Sequence, residues 1–250
     1  MKHGASGDDP TTADLESPSP PPAAEVIFGD RLGLAERYRD ILASDGITRG
    51  LIGPREVGRL WDRHIVNCAV IGEEIGDDLR VIDIGSGAGL PGIPLAIARP
   101  DLRITLIEPL LRRSSFLEET VRELGLSVEV LRGRAEEKSV RASVEPAEVV
   151  TSRAVAPLER LAQWSAPLIA VGGRLVAIKG SSAAEEIARD GDQVRALGVV
   201  DLTVATCGGV LIDPPTTVIV GRRVATSARG SKAARRSSPG QSSSHRRAGR

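Results

Sequence analysis

The stretch Val81-Ile82-Asp83-Ile84-Gly85-Ser86-Gly87-Ala88-Gly89-Leu90-Pro91-Gly92 decides the fold. Three β-branched residues around one carboxylate read as a buried strand. The strand runs into a turn of alternating glycines, where side chains would obstruct a ligand and bare backbone can approach one. Asp83, two residues before the first glycine, is placed to order that loop, which comprises Gly85, Gly87, Gly89 and Leu90. Pro91 and Pro94 suit the first turn of a following helix, where a missing N–H costs little. Gly87, Gly89 and Gly92 also satisfy GxGxxG, so a dinucleotide is one ligand such a loop could hold, and a turn without any ligand is the plainer alternative.

Outward from this loop, short β-branched runs alternate with helical stretches, the pattern of a parallel sheet covered on both faces. Strands are expected at Arg80 to Ile84, Arg103 to Ile107, Ser127 to Leu131, Ala147 to Thr151 and Arg174 to Ile178. Helices are expected at about Leu90 to Ala98, Leu110 to Leu124, Pro157 to Ile169 and Ala183 to Leu197. Val199 to Thr206 and Thr216 to Val220 then follow one another with only a turn through Gly208-Gly209 and Asp213-Pro214-Pro215 between them. Strands joined without a crossover helix pair antiparallel. A mostly parallel, doubly wound α/β sheet with a terminal antiparallel hairpin is the class I methyltransferase variant of the Rossmann-like fold, whereas an ordinary dinucleotide domain continues with parallel strands. Upstream, Asp30 to Ala43 and Pro54 to Ile75 carry apolar residues at helical spacing and form an amino-terminal helical cap. The organisation expected is a tail over 1–25, the cap over 26–78, an S-adenosylmethionine-binding domain over 79–223 and a basic tail over 224–250, with both tails too polar to order themselves.

Charge separates these regions further. The zero formal net charge of the 250 residues hides nine basic residues and no acid from Gly221 onward, five acids against Lys2 in residues 1–25, and a net −5 between. No run of about 18 apolar residues is present, and the amino end has no apolar signal core, which points to a cytoplasmic chain without a membrane segment. Cys68 and Cys207 stand apart with no Cys/His grouping, so neither a zinc site nor a disulfide-stapled fold is expected, and no metal. Five aromatic residues are too few for a platform that stacks single-stranded bases. RNA, if bound, would be held by charge and shape.

Glu108, ending the second strand, is an acid placed for ribose hydroxyls in either nucleotide fold. Gly133-Arg134-Ala135-Glu136-Glu137, after the third strand, lies where a methyltransferase needs groups near adenine and a dinucleotide domain does not. Together with Gly85 to Ile97 (GSGAGLPGIPLAI), Arg112-Arg113 with Phe116-Leu117, Ser152-Arg153-Ala154 and Arg63-His64-Ile65, these segments resemble the ribosomal RNA small subunit methyltransferase G family, also called glucose-inhibited division protein B, over about Ile52 to Val220. The resemblance implies S-adenosylmethionine contacts at Gly85, Leu90, Glu108, Ala135, Glu136 and Arg153. It also implies N7 of a guanine in the 530-loop region of 16S ribosomal RNA, free or in the small ribosomal subunit, as acceptor; separately, the chain is expected to act as a monomer. Two places depart from the family pattern: its Asn-Leu-Thr before the second helix stands here as Gly46-Ile-Thr-Arg-Gly-Leu-Ile-Gly53, and its Asp-Ser after Arg-His-Ile as Asn67-Cys68.

The segment after the fourth strand, Thr151 to Val155, lacks the Asn/Asp-Pro-Pro-aromatic string that holds an exocyclic amine, and neither cysteine is near enough to act as a C5 nucleophile. Asp213-Pro214-Pro215 imitates that string but reads as a hairpin turn. Guanine N7 suits this absence because it carries a free lone pair and needs no base, so no general base is named and Arg153 is the candidate at the reacting centre. Arg55, Arg59 and Arg63 recur every four residues on the expected second helix, as an RNA-binding stripe or as a solvated face paired with Glu56 and Asp62, and His64 beside them reads as part of that stripe or as a packed or capping residue. Besides rRNA methylation, a dinucleotide-dependent oxidoreductase and a non-catalytic RNA-binding module fit parts of this pattern.

Overall fold

Val81, Ile82 and Ile84 are buried in the centre of the sheet, which is why their strand is apolar on both faces. The structure, a computed structural model, describes residues 19–226. The acidic and basic tails expected at the two ends lie, but for residues 19–25 and 224–226, outside the described residues.

Seven strands form one sheet: β1 Arg80–Ile84, β2 Arg103–Glu108, β3 Val128–Arg132, β4 Ala147–Arg153, β5 Ile169–Ile178, β6 Val199–Cys207 and β7 Thr216–Arg223, in the order β3-β2-β1-β4-β5-β7-β6. β1 to β5 run parallel, and β7 enters antiparallel between β5 and β6. The chain thus has the mostly parallel, Rossmann-like class I methyltransferase architecture, with the switch in strand order between β1 and β4. Open α/β sheets bind ligands outside the carboxyl ends of the strands at such a switch.

One face is covered by α4 Gly92–Ala98, α5 Leu111–Leu124 and the amino-terminal helices, the other by α6 Lys138–Ser143, α7 Leu158–Ser165 and α8 Ala183–Ala196. In α5, Phe116, Leu117, Thr120, Val121 and Leu124 make the buried stripe, and Gly125 ends the helix in a left-handed conformation. The cap shares the core of the first face, since Tyr38, Leu42, Trp61 and Ile65 pack in one cluster with Ile93, Leu106 and Phe116.

Several expectations need correction. Helix α1, Pro22–Phe28, lies partly within the stretch read as a structureless tail, and its Ala24 is completely buried. The first expected cap helix becomes α2, Leu32–Ile41, followed by a π-type turn over Leu42–Gly46. The second is not a continuous α-helix. It consists of a 3-10 segment Pro54–Arg59, a π segment Leu60–Ile65, one α turn α3 Val66–Ala69 and a 3-10 segment Val70–Glu74. α4 begins at Gly92, leaving Leu90 in the preceding turn, and β5 begins at Ile169, where a helix was expected to end.

Candidate active site at the carboxyl ends of the strands

The loop after β1 is built from both ends. Gly85 N–H donates to Ile107 O of β2 at 2.8 Å, and Gly92 N–H donates to Asp83 Oδ2 at 3.1 Å, so the Asp83 carboxylate spans the loop it precedes. Burial pushes the Asp83 carboxyl up to about 7, against hydrogen bonds from Ser86 and Gly92 that favour its ionised form. Its other oxygen, Oδ1, is buried without a hydrogen-bond partner.

The glycines divide by role. A Cβ on Gly87 would meet nothing nearer than Gly85 O at 3.9 Å, and its φ is +58°, so this residue presents bare backbone to open space. A Cβ on Gly89 would lie 2.4 Å from Ile93 Cδ1 and 3.1 Å from the Tyr38 hydroxyl. Gly89 is therefore required by packing within the fold, whatever the ligand. Tyr38 Oη donates to Ala88 O at 2.8 Å in a fully buried contact, which ties the cap to the loop.

Glu108 ends β2, buried, and accepts from Gly87 N–H and Leu110 N–H at 3.0 Å each. A carboxylate has about four acceptor positions, so capacity remains for ribose hydroxyls. Beside it, Pro109, Leu110, Arg132, Gly133, Arg134 and Glu137 line a recess of about 340 Å³. Ala135 is buried just behind, and Glu136 is exposed. Asp83, Gly85, Gly87, Leu90, Glu108 and Ala135 are thus gathered along the β1–β2–β3 end of the sheet.

Arg153 lies elsewhere, at the end of β4 in a cleft of about 1540 Å³ beside the β4 and β5 ends. Its Nη2 is 2.7 Å from His64 Nδ1 and its Nη1 is 3.4 Å from Cys68 Sγ. His64 Nε2 is 2.9 Å from Glu56 Oε2. Burial first, then the Arg153 guanidinium, holds the His64 pKa below its ordinary value, and burial pushes the Cys68 thiol up to about 11. The hydrogen bond from His64 leads the influences that lower the Glu56 carboxyl.

The broken cap helix separates the expected arginine stripe. At three residues per 3-10 turn, Arg55 and Arg59 point about 120° apart. Both are exposed, while Arg63 lies 3.7 Å from Glu56 and lines the cleft. Sequence reading missed Glu56 and Cys68 as members of this cluster, and also Lys179, whose Nζ donates to Ala156 O and Glu186 Oε2 at 2.8 Å and so holds the loop after Arg153. Asp213-Pro214-Pro215, read as a hairpin turn, is in the turn between β6 and β7 and also lines the same cleft. Among the described residues no group of His, Cys, Asp and Glu could hold a metal, and no helix is long and apolar enough to cross a membrane.

A family model described as GidB, rRNA small subunit methyltransferase G, matches residues 31–213. The ribosomal RNA small subunit methyltransferase G of Mycolicibacterium gilvum is 59% identical over 206 residues, covering 82% of this chain and 91% of its own length. That of Corynebacterium efficiens is 61% identical over 204 residues, covering 81% and 88%. A Methanococcus maripaludis structure described as an S-adenosyl-L-methionine-dependent methyltransferase shares the fold at a TM-score of 0.50 and 15% identity, covering 78% of this chain and 94% of its own. On the extent and identity of these matches, the chain belongs to the rRNA small subunit methyltransferase G family.

Proposed function

We propose that this methyltransferase transfers the methyl group of S-adenosylmethionine to N7 of a guanine in 16S ribosomal RNA, on the free RNA or in the small subunit. The observation that carries the acceptor is the commitment of His64. A guanidinium only donates, so Nδ1 must accept from Arg153, and Nε2–H is left to donate to Glu56. The imidazole that lines the cleft among the described residues is therefore not free to take a proton, and the Cys68 thiol is buried and held far above neutrality. An acceptor nitrogen with a free lone pair needs neither.

The β1–β2–β3 end fits the cofactor: bare backbone at Gly87, a buried acceptor in Glu108 and the unpartnered Asp83 Oδ1 converge there. Gly85, Gly87, Gly89 and Leu90 would shape its loop, Glu108 would accept from the ribose, and Ala135 and Glu136 would border the base. When bound, the cofactor supplies a sulfonium methyl, an electrophile that needs no activation by the protein. The chain's share is to orient the guanine and exclude water, and such positioning supplies about 7–11 kcal/mol. Arg153 would stand between cofactor and acceptor, Arg55, Arg59 and Arg63 would meet RNA, and His64, with both ring nitrogens engaged, would support Arg153 rather than contact RNA itself. In this reading the enzyme works as a monomer in the bacterial cytoplasm.

The test is tritium transfer from labelled S-adenosylmethionine to undermodified small subunits, followed by cleavage chemistry selective for 7-methylguanosine. Label in 16S RNA at a site that this chemistry does not cut would refute the N7 assignment. A dinucleotide-dependent oxidoreductase has no support in the family or in the strand order.

A further inference from the structure

We propose that Glu56 is a positioning residue for methyl transfer: through His64 it fixes the Arg153 guanidinium in the cleft. The inference rests on the reading of that cleft as the acceptor site. Glu56 comes from the 3-10 segment of the cap, His64 from its π segment, and Arg153 from the end of β4, so the chain of contacts crosses from cap to sheet. At 2.9 Å, Glu56 Oε2 accepts a hydrogen bond from Nε2–H, which keeps the ring proton on Nε2 and leaves Nδ1 bare. The bare nitrogen accepts Arg153 Nη2 at 2.7 Å. The second guanidinium nitrogen, Nη1, is spent on Cys68 Sγ at 3.4 Å, so two contacts from the cap restrain the same fork.

The alternative tautomer would break the arrangement, because a protonated Nδ1 would point an N–H at a group that has only N–H donors. Glu56 selects against it. The imidazole, only 12% exposed against 32% for the Glu56 side chain, has no room to turn away into water at low cost. The charged and titratable groups facing it are Glu56, Arg63 and Arg153, with Cys68 beyond the guanidinium. Of these, Glu56 alone favours the imidazolium, and burial together with the two arginines opposes it.

Two measurements on the full chain test the proposal. The first reads methyl transfer and S-adenosylhomocysteine affinity side by side. Glu56→Ala is expected to lower turnover by about ten- to a hundredfold, the range for a displaced positioning group, while S-adenosylhomocysteine binds as in the wild type. Glu56→Gln, whose amide oxygen can accept the same bond, is expected to recover most of the turnover and to move its acid limb to lower pH, since the anion that favours the imidazolium is gone. Wild-type turnover in Glu56→Ala, or an acid limb unmoved in Glu56→Gln, would overturn the proposal.

The second measurement is independent of activity. Nitrogen-15 spectra of the imidazoles, with His64 assigned by its loss in His64→Gln, are expected to show a bare Nδ1 and a protonated Nε2. In Arg153→Ala the same tautomer should persist, held by Glu56 alone, and it should average once Glu56→Ala is added. Averaged signals in Arg153→Ala would show that Glu56 does not select the tautomer. If wild-type enzyme methylates no guanine N7, the acceptor reading fails, and these spectra still decide whether the relay exists.

Discussion

Replacing Asp83 by Asn isolates the energetic consequence of placing an acid in the floor of the glycine loop. The Asp83 carboxyl is completely buried, one oxygen accepts from Gly92 N–H, and burial raises its pKa from 3.8 to about 7. A carboxyl with a raised folded-state pKa favours the fold in acid. That contribution is fully present below about pH 4, declines as the unfolded chain ionises, and is gone once the pH passes about 7. At 1.36 kcal/mol per pH unit, this carboxyl weakens the fold relative to acid by about 4 kcal/mol at pH 8, where it must ionise in place, and by roughly 1–2 kcal/mol at pH 5, where only the unfolded chain is ionised.

Asparagine keeps an oxygen for Gly92 N–H and removes the titration. Its amide, set where Oδ1 has no partner, carries a penalty of its own, but that penalty does not vary with pH. The melting temperature of Asp83→Asn minus that of wild type should therefore rise between pH 5 and pH 8 by roughly 5–10 °C, whatever its sign at pH 5, taking about 2–4 °C per kcal/mol for a domain of this size. Scanning calorimetry of both proteins at both pH values measures it, and every other titrating group cancels in the comparison. A signed difference, variant minus wild type, that stays constant or falls between the two values would show that the buried-acid reasoning is wrong.

Gly87→Val should abolish S-adenosylhomocysteine binding in calorimetry while the melting transition stays cooperative, because the added side chain enters open space at a φ of +58° and strains only the loop. Glu108→Ala removes the acceptor of both Gly87 N–H and Leu110 N–H, so thermal stability should fall by about 1–3 kcal/mol along with ligand affinity. A loss of affinity with unchanged stability would confine Glu108 to the ligand. Tyr38→Phe leaves the buried Ala88 carbonyl without its donor, and the same ligand should bind weaker with the loop less protected from hydrogen exchange. Deleting residues 227–250 takes away Arg229, Lys232, Arg235, Arg236, Arg246, Arg247 and Arg250. The salt dependence of RNA binding should then flatten by about 0.7 in log–log slope for each phosphate that the shortened chain no longer neutralises, with kcat retained.

The strands were legible because a parallel sheet buried on both faces demands unbroken β-branched runs, and Val81 to Ile84 or Arg103 to Ile107 satisfy nothing else. The terminal hairpin was legible for a related reason, since no helical stretch separates Val199 to Thr206 from Thr216 to Val220. The division of labour among the glycines was not. That Gly89 answers to Ile93 and Tyr38 while Gly87 faces open space depends on side chains delivered by two other elements, one of them about fifty residues upstream. Nor could the position of Asp213-Pro214-Pro215 be seen, because the turn reaches the Arg153 cleft only once β7 has inserted between β5 and β6.

The cap carries the deepest failure of periodicity and its most useful consequence. Residues 54–75 have apolar spacing that any helix of about 3.6 residues per turn would satisfy, so the spacing cannot distinguish a straight α-helix from a broken one. On a straight helix eight residues rise about 12 Å and turn through a little over two turns. Glu56 and His64 would then be out of reach of each other, and Arg55, Arg59 and Arg63 would make the stripe expected of them. The structure winds Pro54–Arg59 tightly and Leu60–Ile65 loosely instead, with Leu60, Trp61 and Ile65 all buried in the core shared with α4 and α5. Tertiary burial of three large side chains sets the winding, and local preference yields to it. Rewinding brings Glu56 to 2.9 Å from His64 and turns His64 toward β4, where Arg153 waits at the strand end. A segment that reads as an amphipathic helix with a basic stripe is thereby converted into one wall of the Arg153 cleft, and the residue it contributes is a glutamate that the charge pattern marked only as a surface partner of the arginines.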